Sequence, residues 1–179
     1  MRKQTNITIA SIFFLTVVVL HLYGLFFTHS ALAFYTKPFL MISLVIIYLT
    51  STKSPDFWYV SALFFSFWGD VLLLFKASLF VYGLGSFLLA HVLFIKITVG
   101  FIPKFSPKKV LISSFPFVFF LFGLLYLIQD NLEEMFLPVV VYGITISSFG
   151  AVALLNYIHQ KTTENLWLFL GALFFIVSD

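Results

Sequence analysis

The chain has 179 residues, of which 61% are apolar and 9% charged, with a formal net charge of +3. That balance excludes a soluble globular domain, which must cover its surface with charge, and the absence of cysteine excludes disulfides and thiolate chemistry. Long apolar runs with short polar breaks make lipid the solvent; runs of about 20 residues then fit helices, since a barrel strand needs only about 9 to 11 with strict alternation.

The predicted fold class is therefore all-α, a polytopic transmembrane helix bundle of about seven spans forming a single transmembrane domain over residues 1–179. The first run, 7–28, follows Arg2 and Lys3 as a secretory leader would. It lacks a small-residue cleavage site and more spans follow, so it reads as the first helix. Further helices are predicted at 31–50, 56–75, 79–100, 109–128, 135–158 and 165–179. The breaks between them are short, so sequential helices are expected to pack as neighbours. The last run stops at Ser178 and Asp179, short of the roughly 20 residues of a full span. The natural protein is expected to continue, finishing this helix and adding an eighth.

The basic residues report orientation. Arg2, Lys3, Lys53, Lys96, Lys104, Lys108, Lys109 and Lys161 fall on one side, Lys76 alone on the other, and Lys37 within a span. The bias predicts a cytoplasmic N-terminus in a multi-pass integral protein, as in a bacterial inner membrane. Basic residues confined to short loops give no reason to expect a nucleic-acid partner; the expected surroundings are membrane lipids.

Asp56, Asp130, Glu133, Glu134 and Glu164 lie in loops or at helix ends, where a carboxylate is solvated. Asp70 and Asp179 fall inside spans. A carboxylate near the bilayer centre costs about 2.5–3.5 kcal/mol, which makes an intramembrane aspartate a functional candidate. The structural alternative is an aspartate that joins helices by a hydrogen bond or pairs with Lys37. Each aspartate comes 14 positions after the predicted start of its helix, from Asp56 and Asn165, so both are expected at the same height, about 21 Å in from the cytoplasmic side. Lys37, entering from the opposite side, arrives at nearly that height, and His21 and Tyr142 fall near it. Five polar groups from five helices are thus expected to converge in the outer half of the bundle. Two carboxylates in a poorly hydrated pocket divide into a proton donor and a base, Lys37 favours an ionised partner, and Pro38 opens a local break in its helix. That set suits acid/base hydrolysis of an acid-labile bond.

His29 and His159 read as interfacial residues. His91 shares a face with Gly83 and Phe87 at four-residue spacing and points into a packed seam, either as a satisfied core histidine or as a substrate contact. No histidine pair has ligand spacing, so neither a metal nor another cofactor is expected. Gly69, Gly83, Gly85, Gly143 and Gly171 read as close helix contacts.

With these residues in hand, the chain resembles the YhhN-like lysoplasmalogenase family of multi-pass membrane proteins. The matching pieces are Lys37-Pro38, Ser66-Phe67-Trp68-Gly69-Asp70, the Gly83, Phe87 and His91 set, and Gly171 to Asp179. The chain departs from the pattern at Phe94, where a tyrosine is expected after the fourth-span histidine. The family typically has eight spans. The resemblance implies hydrolysis of the vinyl-ether bond of a lysoplasmalogen, a lysophospholipid drawn from the bilayer, to a fatty aldehyde and a glycerophospho-ethanolamine or -choline. It implies that Asp70 and Asp179 divide the acid and base roles, that Lys37 tunes them or contacts the phosphate, and that His91, Tyr142, Ser66 and Ser178 bind or position the substrate. Three rivals stand beside it. A proton- or ion-coupled transporter would use the same Asp and Lys residues but predicts an inverted repeat, which is not convincingly present. A helix-packing scaffold needs no aligned carboxylates. A zinc amidase of the ceramidase type is disfavoured by histidine spacing.

Overall fold

The computed structural model describes residues 2–75, 78–102, 104 and 106–178, without the side chains of Arg2 and Asn131. Seven α-helices follow in order: α1 (Arg2–Phe26), α2 (Ser30–Ser51), α3 (Phe57–Leu73), α4 (Phe80–Gly100), α5 (Pro107–Ile128), α6 (Phe136–His159) and α7 (Thr163–Ser178). No strand occurs among the described residues. Five of the helices are long and apolar enough to cross a membrane, whereas α3 and α7, at 17 and 16 residues, are shorter apolar helices. The fold is the expected all-α bundle of a multi-pass membrane protein.

Burial is inverted relative to a soluble protein. The largest fully buried side chains are His91, Asn156, Thr98, Ser43, Ser66 and Ser113, while Phe26, Phe119, Tyr126, Leu127, Phe174 and Val177 are among the most exposed. In water this arrangement would be ruinous; in lipid it is the expected one, because apolar surface gains nothing by hiding and small or polar residues let helices approach. Three of the buried hydroxyls are satisfied within their own helix: Ser43, Ser66 and Ser113 donate to the carbonyls of Leu40, Ala62 and Val110 at 2.8, 3.0 and 3.0 Å.

The chain divides into two compact units, Met1–Phe87 and Leu88–Asp179, with the boundary inside α4. In the first, α1 packs along α2 and α2 against α3. Thr28 turns the chain between α1 and α2 at a φ of 57°, a left-handed conformation that is costly for a β-branched residue. The hairpin it closes is tight, since a Cβ on Gly24 would lie 2.8 Å from the Ala33 backbone nitrogen. At the other end of α2, the Tyr48 hydroxyl accepts the Asp56 N–H at 2.9 Å, and Asp56 caps α3 by accepting the Tyr59 N–H at 2.7 Å. The first turns of α4 lie on α3: Phe87 covers Gly69, Leu73 covers Gly83, and Ser86 donates to the Phe65 carbonyl at 2.7 Å.

In the second unit α6 lies between α5 and α7. Gly150 is the point of closest approach, where a Cβ would come within 2.5 Å of both Ile176 on α7 and Phe117 on α5. Two short 3-10 turns, Gln129–Asn131 and Glu133–Met135, carry Asp130, Glu133 and Glu134 between α5 and α6.

Three sequence expectations are corrected. Gly85 and Gly171 face open space rather than a neighbouring helix. Pro38 does not break α2, which continues through it; the proline only removes the N–H that would have bonded the Phe34 carbonyl. The third helix ends at Leu73 rather than at 75, because Leu74 and Phe75 turn inward on the carbonyls of Val71 and Leu72 in a tighter pattern.

Candidate functional site

Asp70, on α3, is paired. Lys37 Nζ on α2 lies 3.4 Å from Asp70 Oδ1 on α3, with side chains 33% and 21% exposed. The contact is longer than the 2.7–2.9 Å of a tight charge-assisted bond, so it is an ion pair rather than a locked hydrogen bond. Its placement follows from the helix ends. Counting from Ser30, Lys37 lies about 10 Å into α2, and Asp70 lies about 5 Å short of the end of α3 at Leu73. Both ends are on the same side of the unit, so the two charges meet at one level, as the depth arithmetic anticipated. Early termination of α3 makes that level shallower than a span to residue 75 implied: Asp70 stands one turn from the helix end.

A third polar group joins from α1. His21 Nδ1 is 2.9 Å from Thr36 Oγ1, and Lys37 and Asp70 both lie within electrostatic reach of its ring. Thr36 is buried at 8% exposure and donates to the Leu32 carbonyl at 2.7 Å. Ser66 is one turn before Asp70 on α3, fully buried, with its hydroxyl donated to Ala62. It lines the same helix face but its own proton is spent on the backbone.

His91, Tyr142 and Ser178 belong to the second unit. His91 on α4 has no exposed surface and is ringed by Phe94, Tyr142, Phe149 and Phe175 with centroids 6.4, 5.7, 5.7 and 5.4 Å away. Four rings from three helices thus close on one imidazole. Phe94, where a tyrosine was expected, stacks on Phe149 at 5.6 Å and 27°, an apolar packing contact; the hydroxyl-bearing ring against His91 is Tyr142 on α6. Ser178, near the end of α7, is exposed and donates to the Phe175 carbonyl at 3.1 Å. Asp179, the second candidate acid/base group, lies outside the described residues.

Of the five groups expected to converge, Lys37, Asp70 and His21 come together in the first unit, and Tyr142 meets His91 in the second. Reading the sequence did not single out Thr36 or Phe149, and Phe175 entered only within the Gly171 to Asp179 piece. The only signal for Thr36 was its position beside Lys37. Among the described residues no cluster of three or more His, Cys, Asp or Glu side chains is arranged as a metal site. A groove lined by Asn6, Ile9, Ala10, Phe13 and Ile46 lies at the opposite ends of α1 and α2 from the ion pair and carries no ionisable group.

No curated protein and no solved structure matches the chain. The model of the YhhN family matches residues 32–179, from within α2 to the last residue, so that Lys37, Ser66, Asp70, His91, Tyr142, Ser178 and Asp179 all fall inside the matched segment and α1 falls outside it. The chain belongs to the YhhN family.

Proposed function

We propose that this protein is a membrane-embedded hydrolase that cleaves the vinyl-ether bond of lysoplasmalogens, with Asp70 and Asp179 as its acid/base pair. The observation that carries the reading is membership of the YhhN family, with Asp70 inside the matched segment; the Lys37–Asp70 ion pair fits it but would also be made by a purely structural aspartate. A vinyl ether is opened by adding a proton to its β-carbon, which leaves an oxocarbenium on the ether side. Water adds to that carbon and gives up a proton, and the hemiacetal collapses to aldehyde and glycerol hydroxyl. The sum is one water consumed and no net change in protons. One group must be a protonated acid and the other a base, the division of labour found in glycosidases. Asp70 and Asp179 would divide these two roles between them. Lys37 has three N–H donors and an ion pair with Asp70, which leaves donors for a phosphate oxygen.

His91, Tyr142, Ser66 and Ser178 would position the substrate in this reading, His91 and Ser66 from fully buried places. With the N-terminus cytoplasmic, as the basic residues favour, the ion pair opens toward the outer half of the membrane and the lyso-lipid enters from there. The test is aldehyde release from lysoplasmalogen by the purified protein in detergent, with Asp70→Asn and Asp179→Asn alongside and chelator present. Chelator-resistant release by the wild type, abolished in both variants while they remain folded, is expected. Well-folded wild type that leaves lysoplasmalogen and other lyso-lipids intact would refute the proposal and favour an ion-coupled carrier.

A further inference from the structure

The helix that lies outside the family-matched segment brings a histidine to the ion pair. His21 reaches Thr36 through Nδ1 at 2.9 Å. A threonine hydroxyl carries one proton, and the 2.7 Å contact with the Leu32 carbonyl is where Thr36 spends it, with Ala33 at 3.4 Å as a weaker alternative. With the proton so placed, the hydroxyl oxygen meets the imidazole as an acceptor, which assigns the ring proton to Nδ1; the Ala33 carbonyl is a further acceptor for the ring. Thr36 is 8% exposed, so water is a poor substitute for this bond.

The bond falls where α2 is weakest. Pro38 leaves the Phe34 carbonyl without its helical partner, and the turn so loosened is the one that carries Lys37. A side-chain tie from a neighbouring helix at Thr36 holds this turn from outside, without supplying a donor to the Phe34 carbonyl. The close approach of α1 that makes the tie possible is set three residues on, where Gly24 lets the Ala33 backbone come within the space of a methyl group.

We infer that His21 is a positioning residue for the Lys37–Asp70 pair: its Nδ1–H bond to Thr36 fixes the rotation of α2 at the turn bearing Lys37, and with it the reach of the ammonium to Asp70. The consequence for turnover rests on the hydrolase reading; the tie itself does not.

Three variants of the full chain test it. His21→Phe keeps a ring without the donor, Thr36→Val removes the acceptor, and His21→Asn places an amide N–H near the position of Nδ1. Loss of one neutral hydrogen bond corresponds to about 3- to 10-fold, expected in kcat with KM changed less than about 2-fold. His21→Asn is expected to recover activity to within about 2-fold of wild type. A variant His21→Asn as impaired as His21→Phe, or a His21→Phe enzyme indistinguishable from wild type, overturns the inference. The second readout is the ring nitrogen shifts of 15N-labelled His21, assigned by their loss in His21→Asn. The expectation is a proton on Nδ1 in the wild type that moves toward Nε2 in Thr36→Val. An Nε2-protonated ring, or one blind to Thr36→Val, overturns the inference even if aldehyde is released. If no aldehyde is released, the hydrolase reading fails alone and the nitrogen shifts decide the tie.

Discussion

Removing Lys37 and Asp70 one at a time and together separates an ion pair that works from one that merely holds helices. Lys37→Met leaves a carboxylate 3.4 Å from where its partner stood. For a fully buried pair such a loss costs about 3–5 kcal/mol. Here Asp70 stands about 5 Å from the end of α3, where a stranded carboxylate can relax toward the interface, and about 2 kcal/mol is expected. Asp70→Asn leaves a lysine about 10 Å from the end of α2, close enough for its flexible stem to carry the ammonium toward the interface, and about 1 kcal/mol is expected. The double variant strands no charge and is expected to lose no more than about 1 kcal/mol, giving a coupling of about 2 kcal/mol across the cycle. The assay is reversible unfolding of the purified protein in mixed micelles, followed by tryptophan fluorescence, with aldehyde release measured on the same samples. Costs that add without coupling would refute the energetic argument. A double variant that is both stable and active would refute the chemical one, because it would make the pair dispensable glue.

Other substitutions probe the frame around the pair. Gly24→Ala places a methyl 2.8 Å from the Ala33 nitrogen, which is backbone and cannot rotate away; about 1–3 kcal/mol of destabilisation is expected in the same unfolding assay, together with loss of the His21–Thr36 tie by ring nitrogen shifts. Asp56→Ala removes the cap on the Tyr59 N–H and should cost about 1 kcal/mol while leaving aldehyde release intact, whereas Asp56→Asn should be nearly neutral. His91→Ala empties the centre of four aromatic rings and is expected to cost about 2–4 kcal/mol, read by thermal unfolding, with His91→Phe costing less.

How much of this was legible in the sequence depends on what each feature rests on. The seven helices followed from apolar runs and polar breaks, because in lipid the backbone has no other way to satisfy itself. The end of α3 was not legible, since Leu74 and Phe75 prolong the apolar run while their N–H groups bond in a tighter turn. The Lys37–Asp70 level was legible because counting residues from a helix end is counting ångströms. The neighbours of His91 were not: its seam with Gly83 and Phe87 shows in the four-residue spacing, but in the structure Phe87 faces Gly69 while His91 meets rings from α6 and α7. Hydrophobic periodicity says which face of a helix is crowded, and nothing about which helix crowds it. Gly24 and Gly150 passed unremarked for the same reason, while Gly85 and Gly171 were taken for contacts they do not make.

The central claim is acid-initiated opening of a vinyl ether, and it is tested most directly by running the reaction in D2O, trapping the aldehyde by reduction as it forms, and locating the label by mass spectrometry. Protonation at the β-carbon predicts a single deuterium on the carbon next to the former aldehyde carbon, with turnover slowed relative to H2O and abolished by Asp70→Asn. Aldehyde without that deuterium, or no aldehyde from folded protein, would contradict the account.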